Sequence, residues 1–160
     1  MITSETLWFE EHDQLKDEIL TFFELAKFKQ KWKSKTLSTN GSMGTQSFLI
    51  DYFKNTSLLK WVDFDNHLVD IWLNKYDEDH FQEPHNHIRE DTKKTVCSFC
   101  YFVDVPDEPL FFFIDGSEQR YINEQNGMII LFDSEKYHGV DMNPTTQQRK
   151  TIAGNIVVKP

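Results

Sequence analysis

Three of the six histidines have the spacing of residues that could bind one metal ion. His85 and His87 form a His-Asn-His motif, and in extended backbone their two imidazoles point to the same side of the chain. His138 follows an apolar run and a turn, where a neighbouring strand could bring it across to the pair. Three protein ligands leave about three positions open on an octahedral ion, which predicts a catalytic metal site rather than a closed structural one.

The other three histidines are not expected to be metal ligands. His12 and His67 fall at the start of a predicted helix and of a predicted strand, without apparent partners. His80 lies in an acidic loop and is predicted to be solvated. A structural or surface role is the simpler interpretation for all three.

The predicted secondary structure that must position the three ligands falls into two parts, an N-terminal helical part and a C-terminal β core. Residues 1–65 are predicted to be mainly helical, and apolar side chains between Asp13 and Phe28 recur at the spacing of one helix face. The polar segment from Ser38 to Thr45 has the composition of a loop. A second helix is predicted from Ser57, with four residues as its buried side: Leu58, Leu59, Trp61 and Val62.

After Phe64 the sequence consists of short runs of residues that favour β-strands. Turn residues separate these runs, as in Asp115-Gly116-Ser117 and Asn126-Gly127. This pattern predicts a mostly β protein with N-terminal helices, whose β core over residues 66–160 is a double-stranded β-helix, or jelly roll. The length of 160 residues predicts a single domain.

Charge and composition exclude several classes of partner. The net charge of −9 disfavours binding to nucleic acid and to anionic membranes. The chain shows neither an apolar run long enough to span a bilayer nor the pattern of a signal peptide, which predicts a cytoplasmic protein. Cys97 and Cys100 lie three residues apart on a predicted strand, so they point to opposite faces and are interpreted as ordinary thiols.

The segment from Asn126 to Asn155 resembles the C-terminal half of the iron(II)/2-oxoglutarate-dependent oxygenases, in particular small prolyl-hydroxylase-like members from bacteria and phages. In that family a Gly precedes an apolar strand that ends in Phe, a His ligand follows, and an Arg with a Ser or Thr two residues further on completes the pattern. The matching positions here are Gly127, Phe132, His138, Arg149 and Thr151. The resemblance covers roughly residues 68–158, because residues 72–87 are similar to the strand leading into the proximal metal ligands.

One position departs from the pattern of the family. The proximal motif is usually His-x-Asp, and His87 stands where the acid would be. Three-histidine iron sites are chemically sound, so His87 is kept as the expected third ligand. Three nearby acids remain alternatives to it: Glu83, Glu90 and Asp91.

The resemblance also implies a binding site for the co-substrate. Arg149 would bind the far carboxylate of 2-oxoglutarate through its planar fork, and Thr151 lies on the same strand face and would add a hydroxyl donor. Asn74, Tyr76 and Tyr101 are further candidate contacts. The alternative for Arg149 is a salt-bridged surface residue on an edge strand.

The function implied by the resemblance is an iron(II)- and 2-oxoglutarate-dependent dioxygenase. It would hydroxylate a peptide side chain or a small molecule and release succinate and carbon dioxide. Two other functions remain open: a cupin-like three-histidine dioxygenase that uses no 2-oxoglutarate, and a non-catalytic jelly roll that serves as a binding or structural module. Neither the prime substrate nor the oligomeric state is indicated by the sequence.

Overall fold

A computed structural model describes residues 4–33, 36–87 and 95–160. Helix α1 (His12–Leu25) follows the predicted apolar spacing and buries Ile19 and Phe23. Helix α2 (Met43–Phe53) is capped by Ser42, whose side chain accepts a hydrogen bond from the backbone N–H of Thr45. Neither helix is long and apolar enough to cross a membrane.

Among the described residues, strands contain more of the chain than the two helices do. The strands are β1 (Ser4–Trp8), β2 (Lys29–Lys31), β3 (Thr36–Ser38), β4 (His67–Tyr76), β5 (Gln82–His85), β6 (Thr95–Asp104), β7 (Phe111–Asp115), β8 (Glu118–Tyr121), β9 (Met128–Phe132), β10 (His138–Val140) and β11 (Arg149–Val158). They form two sheets in which every pairing is antiparallel. The prediction of a mostly β protein with N-terminal helices is confirmed.

The order of strands in the two sheets determines which residues can meet. The larger sheet has the order β1-β9-β6-β11-β4-β3-β2 and the smaller one β5-β10-β7-β8. Long β11 lies between β4 and β6, and its register places Arg149 opposite Tyr76 and Thr151 opposite Asn74. Residues from distant parts of the chain therefore share one face of the larger sheet.

Two apolar cores lie on opposite faces of the larger sheet. One contains residues of both helices together with Phe99, Tyr101 and Val103 of β6. The other contains the alternate residues Cys100 and Phe102 of β6 and the alternate residues Phe111 and Phe113 of β7. The strand period of two divides β6 between the cores, and Cys97 packs against the first while Cys100 belongs to the second. Burial raises the pKa of both thiols, to about 11 for Cys97 and about 12 for Cys100.

The N-terminal part differs from the sequence prediction in three ways. Strands β1, β2 and β3 lie within residues 1–65, which were expected to be mainly helical. The second helix is α2, whose first three residues belong to the predicted loop Ser38–Thr45. The predicted helix from Ser57 is wrong: that segment forms turns that bury Leu58 and Leu59 but leave Trp61 44% exposed.

Candidate metal centre

The strands bring the three predicted histidines to one place. His85 is the last residue of β5 and His138 the first of β10, and the two lie directly opposite each other in the ladder. His87 follows two residues after His85, and its backbone N–H donates to the carbonyl of Ser134 at 2.8 Å. One nitrogen from each of the three rings lies within 4.8 Å of the others.

Hydrogen bonds orient all three rings in the same way. The Nδ1 atom of His85 lies 3.0 Å from the carbonyl oxygen of Glu83, and that of His138 lies 3.0 Å from the carbonyl oxygen of Lys136. The Nδ1 atom of His87 lies 2.7 Å from the side-chain oxygen of Asn155. Carbonyl oxygens only accept hydrogen bonds, so each ring carries its proton on Nδ1. Each Nε2 atom therefore carries a lone pair, and that of His85 also lies 3.4 Å from the side-chain nitrogen of Gln82.

The Nε2 atoms fit a shared divalent metal ion. Those of His85 and His87 lie 3.1 Å apart, and without a proton between them their lone pairs repel. Two nitrogens bound to one ion at about 2.1 Å and about 90° to each other lie about 3.0 Å apart. The observed separation matches that value, so a cation would turn an unfavourable contact into a favourable one.

Burial keeps the three imidazoles neutral, which is the form that binds metals. Burial lowers the pKa of His85. Burial and the electrostatic effect of the neighbouring His85 lower the pKa of His87 to about 4. The pKa of His138 is held well below its usual value, first by burial and then by the two other histidines. The ring of Phe111 stacks on His138 at 5.6 Å, and that of Phe132 lies 4.7 Å from it.

The nearby acids do not replace His87 among the described residues. The carboxylate of Glu83 accepts hydrogen bonds from the backbone N–H of Lys33, at 3.3 and 3.4 Å, and only its carbonyl oxygen contacts His85. Glu90 and Asp91 lie outside the described residues. His87, by contrast, belongs to the group whose ligand atoms converge.

Two cavities of very different size adjoin the histidines. An open cleft of about 1100 Å³ is lined by Trp32, Trp72 and Asn155, and an internal pocket of about 20 Å³ is lined by His138 and Arg149. His85 and His87 line both cavities. The pair thus separates a space large enough for a substrate from a pocket that, as it stands, holds about one water molecule.

Arg149, which lines the internal pocket, is fully buried and is already paired. Its Nη1 and Nη2 atoms donate to the two carboxylate oxygens of Glu124, and the second of these contacts measures 3.2 Å. Both side chains are 0% exposed. Burial opposes the charge of the guanidinium, but the carboxylate outweighs it and raises the pKa of Arg149. The sequence left open that Arg149 forms a salt bridge at the surface on an edge strand. That location is wrong, because the ion pair lies in the core.

Three other predicted co-substrate contacts line the same pocket: Asn74, Tyr76 and Thr151. The hydroxyl of Tyr76 donates to Gln82 at 3.1 Å, and burial raises its pKa. When the Asn74 amide is oriented to suit its neighbours, its nitrogen donates to the Ser38 hydroxyl at 2.8 Å. Tyr76 and Asn74 thus each have a protein partner in addition to lining the pocket.

Comparison with known proteins identifies the fold. No protein-family model matches the chain, and no curated protein sequence does. Three of the solved structures that match it over nearly its full length illustrate the similarity. A prolyl-4-hydroxylase from Pseudomonas putida has a TM-score of 0.70 and 12% identity, covering 99% of this chain and 94% of that one. HygX from Streptomyces hygroscopicus, solved with nickel, 2-oxoglutarate and hygromycin B, has a TM-score of 0.70 and 8% identity, covering 98% and 83%.

The third structure is the non-heme alpha-ketoglutarate-dependent epimerase SnoN from nogalamycin biosynthesis, with a TM-score of 0.70 and 12% identity, covering 96% of this chain and 77% of that one. The chain has the fold of the 2-oxoglutarate/iron(II)-dependent oxygenases. A fold of jelly-roll type agrees with the two antiparallel sheets described above. Sequence identities this low support the fold alone.

The structure does not bring Tyr101, the remaining predicted co-substrate contact, to the pocket. Tyr101 belongs to the core beside the helices, on the other face of β6. Its hydroxyl lies 2.5 Å from the Nδ1 atom of His12, which is buried at the start of α1. His12 therefore does have a partner, contrary to the sequence interpretation, and Tyr101 is omitted from the site.

The sequence interpretation missed two kinds of residue around the site. Asn155 lies on the same face of β11 as Arg149 and Thr151, so strand parity could have indicated it as the partner of His87. Ser98 joins the same group, because its hydroxyl donates to the Asn155 oxygen at 2.7 Å. Glu124 gave no such signal because it lies in a polar segment without periodicity, and Trp32 gave none because it lies among alternating lysines, which are typical of a solvated surface.

Proposed function

We propose that the protein is an iron(II)-dependent oxygenase that uses 2-oxoglutarate as its co-substrate. The observation that carries the proposal is the convergence of three unprotonated Nε2 atoms, from His85, His87 and His138, in a fold of this type. Oxygens behind each ring fix its tautomer, and such partners are typical of metal-binding histidines. A closed double-stranded β-helix over residues 66–160, in a single domain, is part of the same proposal.

His87 would be the third protein ligand in place of an acid. Three neutral imidazoles leave the full charge of the ion uncompensated by the protein, which increases its attraction for an anionic co-substrate. A bound iron(II) ion supplies the activation of dioxygen, coupled to decarboxylation of the 2-oxo acid to succinate and carbon dioxide. The phenylalanines around His138 exclude water from that side of the site.

The internal pocket would hold the 2-oxoglutarate chain. Its lining includes the cation Arg149 and the polar side chains of Thr151, Asn74 and Tyr76, which can orient a carboxylate and a 2-oxo group. Because the pocket is only about 20 Å³ in this state, the side chains around it must move when the co-substrate binds.

The prime substrate would enter by the open cleft. Trp32 lies with its ring 6.4 Å from that of His85, and Trp72 with its ring 5.8 Å from that of His87. Two aromatic rings beside the ligands suit an extended substrate with an apolar portion, such as a peptide side chain or a small organic molecule. Hydroxylation of that portion is the reaction we propose.

Anaerobic addition of iron(II) and then 2-oxoglutarate tests this function. A visible charge-transfer band should appear only when both are present, and admission of air should produce succinate. Replacement of Thr151 by Val should weaken 2-oxoglutarate binding, whereas Thr6→Val, at an exposed position of β1, should not. If no band and no succinate appear in a protein that binds iron(II), the co-substrate assignment is wrong.

A second candidate is a three-histidine oxygenase that uses no 2-oxoglutarate. The observation that favours it is the ion pair of Arg149 with Glu124, which occupies the cation that would bind the co-substrate. This protein would bind iron(II) at the same three histidines. It would consume dioxygen with a suitable substrate at a rate that added 2-oxoglutarate does not change.

A further inference from the structure

Glu124 is held as a buried carboxylate beside Arg149, which lines the internal pocket. Its two oxygens accept hydrogen bonds from the guanidinium of Arg149 and from the backbone N–H groups of Leu110, at 3.3 Å, and Phe111, at 3.1 Å. These donors provide the environment that a ligand carboxylate would need. The carboxylate of Glu124 therefore fills a site that could bind the carboxylate of a ligand.

The segment that carries Glu124 lies at the surface. Between β8 and β9 the neighbouring residues Asn123, Gln125 and Asn126 are exposed, and Glu124 alone of residues 122–126 is buried. Asn126 accepts a hydrogen bond from the backbone N–H of Val105 at 2.8 Å, which fixes the base of the segment. Because residues 122–127 belong to no strand, a movement of this segment alone would take the carboxylate of Glu124 away from Arg149.

The pair with Glu124 determines the charge that the pocket offers. Arg149 is the lone Lys or Arg among the described residues that line the internal pocket, and Glu124 cancels its charge. Both terminal nitrogens of the guanidinium are used, and only its Nε atom lacks a hydrogen-bond partner among the described residues. A second carboxylate entering this pocket would meet a neutral ion pair instead of a free cation.

We propose that Glu124 is a specificity-determining residue that competes with the co-substrate for Arg149. The proposal rests on the proposed function, and it concerns which 2-oxo acid the site prefers. A 2-oxo acid with a second carboxylate, such as 2-oxoglutarate, gains its ion pair with Arg149 only when Glu124 leaves. A 2-oxo acid without a second carboxylate does not need that displacement.

Isothermal titration of the protein loaded with Mn(II) tests the competition. The ligands are 2-oxoglutarate and 2-oxobutyrate, which has no second carboxylate. Glu124→Gln removes the charge but retains an acceptor for the backbone N–H groups, so 2-oxoglutarate should bind about tenfold to a hundredfold more tightly than to the unmodified protein. Binding of 2-oxobutyrate should change by less than about threefold. Glu118→Gln, at an exposed position of β8, is the matched control and should leave both affinities unchanged.

The possible outcomes separate this inference from the proposed function. If the unmodified protein binds 2-oxoglutarate and Glu124→Gln binds it no better, Glu124 is not a competitor, although the co-substrate assignment stands. If neither protein binds either acid while Mn(II) is bound, both proposals are wrong. Should Glu124→Gln fail to fold, the unmodified protein alone decides: a preference for 2-oxoglutarate over 2-oxobutyrate above about tenfold contradicts the inference, and a smaller preference supports it.

Discussion

The Nε2 atom of His85 lies 3.1 Å from the Nε2 atom of His87, and an oxygen acceptor lies behind each ring. Those acceptors hold the ring protons on the Nδ1 atoms, so the two facing nitrogens have lone pairs and no proton to share. A bound cation resolves this repulsion. The relationship between these two atoms is therefore the strongest structural argument for a metal site, and it depends on residues that are not themselves ligands.

Replacement of Asn155 by Ala should weaken metal binding without removing a ligand. The Asn155 oxygen accepts from His87 Nδ1, so its loss frees the ring to rotate and to change tautomer. We expect Mn(II) affinity to fall about 10–100-fold, as measured by competition with a metal indicator. Asn123→Ala, in the exposed segment before Glu124, serves as the control and should bind Mn(II) normally. Equal affinities in the two variants would show that Asn155 does not orient His87.

The buried pair of Arg149 and Glu124 should dominate the stability of the internal pocket. Arg149→Met leaves the carboxylate of Glu124 buried without a counter-charge, which should lower the free energy of unfolding by about 3–5 kcal/mol. The double variant Arg149→Met/Glu124→Gln should recover about 1 kcal/mol or more, because the stranded charge is gone. Urea denaturation measures both values. Strict additivity of the two single substitutions would contradict the pairing.

The Tyr101→Phe variant tests whether Tyr101 contacts the co-substrate, as expected from the sequence, or only His12, as in the structure. The hydroxyl of Tyr101 contacts His12 and not the pocket, so this variant should lose about 1–3 kcal/mol of stability and bind 2-oxoglutarate as before. Tyr76→Phe removes a hydroxyl that lies in the pocket and donates to Gln82, and it should change 2-oxoglutarate affinity. Thermal denaturation and titration with the co-substrate distinguish the two. Weaker co-substrate binding in Tyr101→Phe would return that residue to the site.

Gly154 should be intolerant of any side chain. It lies in the middle of β11, where an added Cβ atom would overlap the carbonyl oxygen of Asp70 and the ring of Phe99. Gly154→Ala should therefore destabilise the protein by about 1–3 kcal/mol or more. Gly44→Ala is the matched control, because its Cβ atom would meet nothing within 4 Å and Ala favours helix α2 by about 0.5–1 kcal/mol. Similar unfolding curves for the two variants would contradict the close approach of β11 and β4.

Strand parity made part of the site predictable from the sequence. The period of two along β11 placed Arg149, Thr151 and Asn155 on one face, and the same rule paired His85 with His87. Strand parity shows which residues share a face of a strand, but not which of the two cores that face contacts. For that reason Tyr101, one residue from Cys100 on β6, was assigned to the pocket although it lies in the opposite core.

Other features had no local signal. Helix α2 carries apolar residues on nearly every side near its end, as in Phe48-Leu49-Ile50, so no amphipathic stripe marks it. The burial of Glu124 depends on donors from β7, β11 and the segment between β6 and β7, which only the tertiary structure assembles. A lone acid in a polar segment is indistinguishable from a surface residue until those donors are located.

The most direct test of a metal site at His85, His87 and His138 is the number of Mn(II) or iron(II) ions bound per chain, measured anaerobically after dialysis. The unmodified protein should retain one ion, whereas His87→Ala and His138→Ala should each bind at least about 100-fold more weakly, because each removes a ligand nitrogen. His80→Ala, which lines neither cavity, should retain one ion. Unchanged metal affinity in the His87 and His138 variants would contradict the account and leave a fold without a metal centre at these residues.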